Sequence, residues 1–421
     1  MRSLDIKNIR ENPDLYRRTC EHKKINVDID RLLTVDAEMR PLKIKLEDLQ
    51  AARNRIAKIA PRASESERRT LKESGIKIKK DIEQAKDRYR NLEKELNQLL
   101  FTMPLVPHTD VPFGRSDADN VEIKKHGTPP KFTFTPRDHI ELGVRNKLLD
   151  IERGVKIAGS RSYVLCGRGA ELENALMQHV FHKLINKGFK PFSVPVLVRQ
   201  QALVGSGHFP VGEEQTYRLE DDDLALVGTS EVPLVAFHQN ETLDAADLPL
   251  RYLANSSCFR REAGTYGRDT HGLFRVHQFQ KIEQLIIGSA DEEASAALHE
   301  ELLANSEEIL QDLQLPYRVV YVCTGDLGIG QYRKHDIETW MPSRQSYGET
   351  HSCSTLLDFQ AARLRIRYRD TDGKKKFCYT LNNTAVASPR IIIPILEHYQ
   401  TADGKIKIPD CLKNYMQGEY L

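Results

Sequence analysis

The sequence predicts an α+β protein with an N-terminal antiparallel helical hairpin and a larger second domain. Two observations lead to this fold class. Apolar residues repeat at spacings of three and four between positions 32 and 99, in two runs separated by the segment PRASES. After a proline-rich linker at residues 101–114, strand-like and helix-like patterns alternate irregularly to the end of the 421-residue chain. We predict two domains, residues 1–103 and residues 104–421.

The two apolar runs predict a coiled-coil arm. The first run comprises Leu32, Val35, Met39, Leu42, Leu46, Leu49, Ile56 and Ala60, and the second comprises Ile78, Ile82, Ala85, Tyr89, Leu92, Leu96 and Leu99. At 1.5 Å per residue, helices of about 30 residues reach about 45 Å, which is longer than a compact domain needs. We therefore expect the arm to project. Pro41 is expected to bend its first helix, and Asn12 followed by Pro13 predicts a capped short helix before it.

The half of the arm nearest its turn is strongly basic. Residues 51–80 contain ten Arg or Lys residues and three Glu residues, a net charge of +7, whereas the whole chain carries only +2. The rest of the chain is therefore slightly acidic. A basic tip on a projecting coiled coil favours binding of a polyanion, most simply an RNA backbone. Composition alone fits an ordinary charged coiled-coil surface equally well.

A segment of the second domain, FRREAGTYGRDTHGLFRVHQFQKIE, has the composition of a nucleotide site. Two alternating runs, LANSSCFRRE and VHQFQKIEQLIIG, predict strands joined by a glycine-rich hairpin loop, the second ending near Gly288. Strand alternation would place Arg260 and Glu262 on one face. Arginine matches phosphate oxygens, and a carboxylate can accept from an exocyclic amine. The alternative for this segment is a solvated, salt-bridged hairpin.

Two further elements precede that segment. Residues 171–187 predict a helix with one apolar face, and residues 190–199 predict a strand that contains Pro195 and therefore lies at a sheet edge or bulge. Neither GxGxxG nor a Walker sequence occurs.

Composition argues against several classes of protein. The seven cysteines are scattered without a CxxC pair, and the histidines at 271, 277, 335 and 351 match no metal-binding spacing. The N-terminal sequence does not resemble a signal peptide, and no segment has the roughly 18 apolar residues of a membrane span. We therefore predict a cytoplasmic protein without a membrane partner.

Several segments, in this order along the chain, resemble motifs of the seryl-tRNA synthetases, a family of class II aminoacyl-tRNA synthetases. The helix and strand at 171–199 resemble motif 1, GTSEVPL from Gly228 resembles the TxE loop, and the arginine-rich segment resembles motif 2. GETHSCSTLLDF from Gly348 resembles the Glu-x-x-Ser-Cys-Ser segment, and TLNNTAVASPR from Thr380 resembles motif 3. The resemblance implies a catalytic domain built on an antiparallel β-sheet flanked by helices, preceded by a tRNA-binding arm.

The resemblance also implies roles for individual residues. Arg260 and Arg390 would be catalytic, and Glu349 and Ser352 would hold Mg²⁺ that accompanies ATP. The implied ATP-binding residues are Arg260, Arg261, Glu262, Arg275, Phe279, Glu349, Ser352 and Arg390. The implied serine-binding residues are Thr229, Glu231, Arg260, Glu283, Asn382 and Thr384. On the arm, the candidate tRNA contacts are Arg55, Arg62, Arg69 and Lys72.

Each of these residues also has an ordinary explanation when taken alone. Phe279 could be a core aromatic, Glu283 a surface carboxylate, and Arg390 a charge near a helix end. As a set they favour the functional interpretation.

The function implied by the resemblance is an ATP-dependent ligase that forms seryl-adenylate from L-serine and transfers the serine to tRNA(Ser). Whether tRNA(Sec) is also charged stays open. The implied assembly is a homodimer. Two alternatives are a ligase that loads a carrier protein, against which the basic arm argues, and a catalytically silent RNA-binding homologue, against which the intact set of site residues argues.

Overall fold

The computed structural model describes residues 5–264 and 272–421, so the predicted hairpin loop at 265–271, with His271, lies outside the described residues. The chain forms two units, one ending at Pro104 and one beginning at Leu105. In the described part, no helix has both the length and the apolar character needed to cross a membrane.

The helices and strands are numbered along the chain. The helices are α1 Ile6–Glu11, α2 Pro13–His22, α3 Ile29–Ile59, α4 Glu65–Phe101, α5 His139–Arg145, α6 Ile151–Ala158, α7 Arg168–Asn186, α8 Gln200–Ser206, α9 Glu231–Ala236, α10 Glu292–Asp312, α11 Phe359–Leu364 and α12 Ile392–His398. The strands are β1 Val121–His126, β2 Leu149–Asp150, β3 Val164–Leu165, β4 Lys190–Phe192, β5 Leu197–Arg199, β6 Leu224–Leu226, β7 Thr242–Asp244, β8 Leu250–Phe259, β9 Gln278–Gly288, β10 Tyr317–Tyr321, β11 Arg333–Met341, β12 Ser346–Leu357, β13 Arg367–Arg369, β14 Lys375–Phe377 and β15 Tyr379–Ser388.

Helices α3 and α4 form the predicted antiparallel arm. Arg31 pairs with Glu95 at 2.6 Å, and Glu38 pairs with Arg88 at 3.2 Å. Seven residues along α3 therefore correspond to seven residues back along α4, which is an antiparallel register. Val35 and neighbouring apolar residues of the predicted stripes pack between the two helices. Exposed ion pairs contribute only about 0.2–1 kcal/mol each, so the apolar seam supplies most of the stability. Helix α3 runs through Pro41 without interruption.

The predicted N-cap position at Asn12 is confirmed, since α2 begins directly after it at Pro13. The Asn12 side chain makes no capping bond to α2. Its Nδ2 instead donates to the carbonyl oxygen of Asn8 at 3.2 Å, because Asn12 also ends helix α1. Because the side chain is bonded to the end of α1, it is not available to accept from the first amides of α2.

An eight-stranded sheet forms the centre of the second unit, in the order β1-β10-β11-β12-β15-β9-β8-β4. All neighbouring strands are antiparallel except β4, which runs parallel to β8 at the edge. This arrangement confirms the predicted antiparallel sheet. Helices α7 and α10 cover one face, where Ile282 and Ile286 of β9 join the main apolar core. Leu285 and Ile287 point to the opposite face and join a second apolar cluster.

The single strand predicted at 190–199 is wrong. The structure has two short strands there, β4 in the large sheet and β5 paired with β6 in a separate sheet. Pro195 lies between them, and its missing amide hydrogen cannot join a strand ladder. The predicted edge position holds for β4.

Candidate active site

A cavity of about 380 Å³ lies in the second unit, on the sheet face opposite α7 and α10. This volume is typical of small-molecule sites. The cavity walls contain all the residues predicted to bind ATP, metal or serine except Arg261, namely Thr229, Glu231, Arg260, Glu262, Arg275, Phe279, Glu283, Glu349, Ser352, Asn382, Thr384 and Arg390. The sequence therefore gathers residues that are more than 160 positions apart around one space.

The floor of the cavity is set by strand alternation. Phe279, Lys281 and Glu283 occupy alternate positions of β9 and therefore share one face. Thr384 of β15 lies directly opposite Glu283, and a β-bulge follows between Thr384 and Val386. The antiparallel register thus fixes which polar groups meet at the floor.

The neighbouring strand extends this row of polar groups. Asn382 of β15 lies opposite Ser354 of β12, and Ser354 lies opposite Lys334 of β11. All three side chains line the cavity. Three adjacent strands therefore contribute to one continuous polar surface.

Arg260 and Glu262 reach the cavity by a different route from the predicted one. Strand β8 ends at Phe259, so strand alternation does not align the two residues and that prediction is wrong. Glu262 has a left-handed backbone, with φ of 51°, which redirects its side chain. Its Oε2 accepts from Arg275 Nη1 at 3.4 Å. The Arg260 guanidinium lies 5.2 Å from the centre of the Phe279 ring, within cation–π range.

Arg261 is not brought together with the other predicted ATP-binding residues. Its side chain lines a separate, open depression with Tyr217 and Arg218, and its backbone amide donates to the carbonyl oxygen of Gln215.

The deepest part of the cavity holds two buried carboxylates. Glu283 is 2% exposed, and it forms an ion pair with Lys281. Glu231 Oε1 accepts from Gln360 Nε2 at 2.6 Å, and Gln360 in turn accepts from Thr380 Oγ1 at 2.8 Å. Burial raises the pKa of both carboxyl groups, and the Lys281 ammonium opposes that rise at both. The pocket therefore holds two carboxyl groups with different hydrogen-bond partners.

The opposite end of the cavity is rich in cations around Glu349. Arg390 Nη1 donates to the Glu349 carbonyl oxygen at 3.1 Å and lies 3.6 Å from its carboxylate. Partial desolvation alone would raise the pKa of Glu349, but Arg390, Lys334 and other nearby cations lower it overall. Glu349 therefore stays ionised and can offer oxygen to a hard cation.

Beside this carboxylate, Ser352 lies directly opposite Asp336 of β11 and interacts with it through its side chain. Asp336 Oδ2 pairs with Lys334 at 2.8 Å. Its Oδ1 is buried and has no hydrogen-bond partner among the described residues. Burial raises the pKa of Asp336, with Glu349 adding to the rise. A buried carboxyl oxygen without a partner, next to Ser352 and Glu349, fits the neighbourhood of a cation bound through oxygen atoms.

Several cavity residues were not singled out from the sequence. They are His208, Lys281, Lys334 and, behind the wall, Asp336 and Gln360. Lys281 had a readable signal, since it stands two positions from both Phe279 and Glu283 on a predicted strand. His208 had none, because it follows a glycine turn far from every strand motif. Burial lowers the pKa of His208 to about 4, so this imidazole is neutral at pH 7.

The four predicted tRNA contacts lie in the first unit. Arg55 is on α3, Arg62 is in the turn, and Arg69 and Lys72 are on α4. All four side chains are exposed, and Arg69 lies 3.6 Å from Glu73. The structure therefore places these cations on both sides of the turn of the arm.

Family models match both units of the chain. The seryl-tRNA synthetase N-terminal domain matches residues 4–107, and the class II tRNA synthetase core domain of the G, H, P, S and T enzymes matches residues 216–399. The serine–tRNA ligase of Deinococcus radiodurans is 46% identical, over 99% of this chain and 98% of the relative.

Solved structures agree. The seryl-tRNA synthetase of Pyrococcus horikoshii, crystallised with ATP, superposes with a TM-score of 0.91 at 37% identity, covering 99% of this chain and 98% of that one. The cytoplasmic serine–tRNA ligase of Naegleria fowleri, crystallised with AMP, superposes with a TM-score of 0.87 at 30% identity, with the same coverage of both chains. With these matches along its whole length, the chain belongs to the seryl-tRNA synthetase family.

Proposed function

We infer that this chain is a serine–tRNA ligase, which activates serine with ATP and transfers it to tRNA. The single observation that carries this inference is the cavity, which joins an arginine-rich end suited to phosphates with a buried carboxylate pocket suited to a small hydroxy amino acid. Relatives of nearly equal length that carry this activity in their names support it. They give no support to a carrier-protein ligase or to a silent RNA-binding homologue.

In the first reaction, we propose that the serine carboxylate attacks the α-phosphorus of ATP and that pyrophosphate leaves. Arg260 would contact both the α-phosphate and the serine carboxylate, because it lies over the Phe279 ring and close enough to Glu231 and Glu283 to lower the pKa of both. Phe279 would stack on adenine, and Glu262 would accept from the adenine amino group. Arg275 and Arg390 would hold the outer phosphates. Catalysis then consists of positioning and charge neutralisation, without a protein nucleophile.

We propose that Glu349 and Ser352, together with the ATP phosphates, would hold Mg²⁺. The bound cation would neutralise part of the phosphate charge. The ionised Glu349 and the orphaned Asp336 oxygen beside Ser352 support this assignment. In the described ranges, no three His, Cys, Asp or Glu side chains form a metal-binding group. A site with few protein ligands suits Mg²⁺, which retains water and uses substrate phosphates.

Selection of serine would take place at the buried end. Glu283 and Thr384 would bind the substrate hydroxyl, Glu231 and Thr229 would receive the ammonium group, and Asn382 would lie beside them. Alanine would leave the buried Glu283 without its hydroxyl partner, which is costly for a desolvated group. Threonine would be excluded by size.

In the second reaction, a ribose hydroxyl at the end of tRNA would attack the carbonyl carbon of the adenylate and release AMP. We propose that the exposed basic residues around the turn of the arm bind the tRNA backbone, with tRNA(Ser) as the substrate.

Amino-acid-dependent exchange of pyrophosphate into ATP tests the activity directly. We expect rapid exchange with L-serine, and exchange at least about 10²-fold weaker with alanine and threonine. Charging of purified tRNA(Ser) should follow in the same preparation. Equal exchange with alanine, or none with serine, would contradict the assignment.

We further propose a homodimer and a cytoplasmic location. Ile157 of α6 is 77% exposed and provides a candidate apolar contact for a second copy. Sedimentation at micromolar concentration should give a dimer, and Ile157→Asp should weaken it more than Ile44→Asp on the arm. A monomeric wild-type protein would rule the dimer out, and a dimer indifferent to the Ile157 substitution would place its interface elsewhere.

A further inference from the structure

A buried ammonium group lies inside the carboxylate pocket. Lys281 is 4% exposed, and its Nζ pairs with Glu283 Oε2 and donates to Thr229 Oγ1 at 2.8 Å. Thr384 Oγ1 lies 3.5 Å from the same nitrogen and 3.4 Å from Glu283 Oε2. The contacts of Glu283 within the described residues all go to Oε2, so Oε1 is left to accept a further hydrogen bond.

The charge balance of the pocket depends on this lysine. Without a cation beside it, a fully buried carboxyl group tends to take up a proton, because desolvation penalises the charged form. A protonated carboxyl group at Glu283 would also compete with the substrate hydroxyl as a donor. With Lys281 present, Glu283 and Lys281 form a neutral pair, and Glu231 is the carboxylate that remains to balance a substrate ammonium.

We propose that Lys281 is a positioning residue for serine recognition: it holds Glu283 as a carboxylate whose Oε1 accepts the hydrogen bond of the substrate hydroxyl. This inference rests on the proposed function. It adds a group that acts through Glu283 and not on the substrate itself.

Other groups around Glu283 cannot replace the lysine. Burial raises the pKa of Glu283, Lys281 is the strongest influence that lowers it, Glu231 adds to the rise, and Arg260 lowers it more weakly. His208 is neutral at pH 7, and burial raises the thiol pKa of Cys258 and Cys353 nearby, so none of these three side chains carries a charge.

Lys281→Met should raise the KM for serine in pyrophosphate exchange by about 10- to 100-fold, the usual value of a hydrogen bond to a charged group, while leaving the KM for ATP unchanged. Removing the cation raises the pKa of Glu283 further, so the carboxylate form is reached only at higher pH. The acid limb of kcat/KM for serine should therefore move to higher pH, and the preference for serine over alanine should fall.

Lys124→Met is the matched control, because it also breaks a lysine–glutamate pair, with Glu307 at 2.5 Å, in the same unit outside the cavity. It should change neither the KM for serine nor the pH profile. If the wild-type enzyme shows no serine-dependent exchange, the proposed function is wrong. If the wild type is active and Lys281→Met has the same KM for serine and the same pH profile, only the inference about Lys281 is wrong.

A second variant covers the case in which Lys281→Met fails to fold, since breaking a buried ion pair is strongly destabilising. Lys281→Met combined with Glu283→Gln buries no charge at either position and should fold. Its KM for serine should match that of Glu283→Gln alone, and the two variants should have the same acid limb. If the lysine substitution still costs tenfold in the Glu283→Gln background, Lys281 contacts the substrate directly and the proposal is wrong.

Discussion

Replacing Arg260 by alanine should reduce serine-dependent pyrophosphate exchange by about 10³-fold or more, while the protein remains folded. The expected size is that of losing a charged group that stabilises a phosphoryl-transfer transition state. The fold should survive because, among the described residues, the guanidinium makes few structural contacts, namely one bond of 3.4 Å to the Gly228 carbonyl oxygen and its position over Phe279. Exchange rates and thermal unfolding curves of the same preparation measure both parts.

Arg261→Ala is the matched control for that substitution. Its side chain has the same charge one position along the chain but lines the separate depression beside Tyr217. We expect a loss of exchange of less than about tenfold, the usual scale for a charge outside the reacting centre. Equal losses in the two variants would show that Arg260 has no special place in the reaction.

Shortening the arm should separate the two reactions. Since the ion pairs between α3 and α4 fix their register, Ala52 lies opposite Ser74. Residues 53–73 can therefore be replaced by a short Gly-Ser turn without shifting that register. We expect serine-dependent exchange within about twofold of wild type, because every cavity residue lies beyond residue 200. Charging of tRNA(Ser) should fall by at least about 10²-fold, as lost phosphate contacts weaken binding.

Four substitutions test the charges without removing the helices. Neutralising Arg55, Arg62, Arg69 and Lys72 should lower tRNA affinity and flatten its dependence on salt, by about 0.7–0.9 in the logarithmic slope for each lost phosphate contact. The control neutralises four exposed lysines nearer the base of the arm, Lys43, Lys45, Lys86 and Lys94. Equal effects of the two sets would mean that the turn is not the binding surface. Loss of both exchange and charging on shortening would mean that the arm supports the catalytic unit.

Local sequence signals predicted the elements that local forces determine. The apolar stripes of the arm and the alternation of β9 were confirmed, because a heptad seam and a period of two follow directly from helix and strand geometry. The structure places Glu283 and Thr384 in one cavity, and their roles toward serine stay a proposal.

The errors arose where one residue could serve two structures. Pro195 lies between β4 and β5, which belong to different sheets, and Asn12 ends α1 while it precedes α2 without a side-chain bond to it. Arg260 and Glu262 share the cavity only through the left-handed turn at Glu262, which the strand pattern did not contain. Asp336 is connected to the site only through its cross-strand neighbour Ser352. The two residues are 16 positions apart, and the sequence pattern does not show that they are paired.

The register between β9 and β15 also limits how this site can change in evolution. Glu283 faces Thr384 directly, and the bulge after Thr384 absorbs one extra residue of β15. A substitution alters one contact, but an inserted or deleted residue within β15 would turn every following side chain to the opposite face. Homologous sequences should therefore vary here by exchange of amino acids at constant spacing, and tolerate changes in length in turns such as the one around Gly373, between β13 and β14.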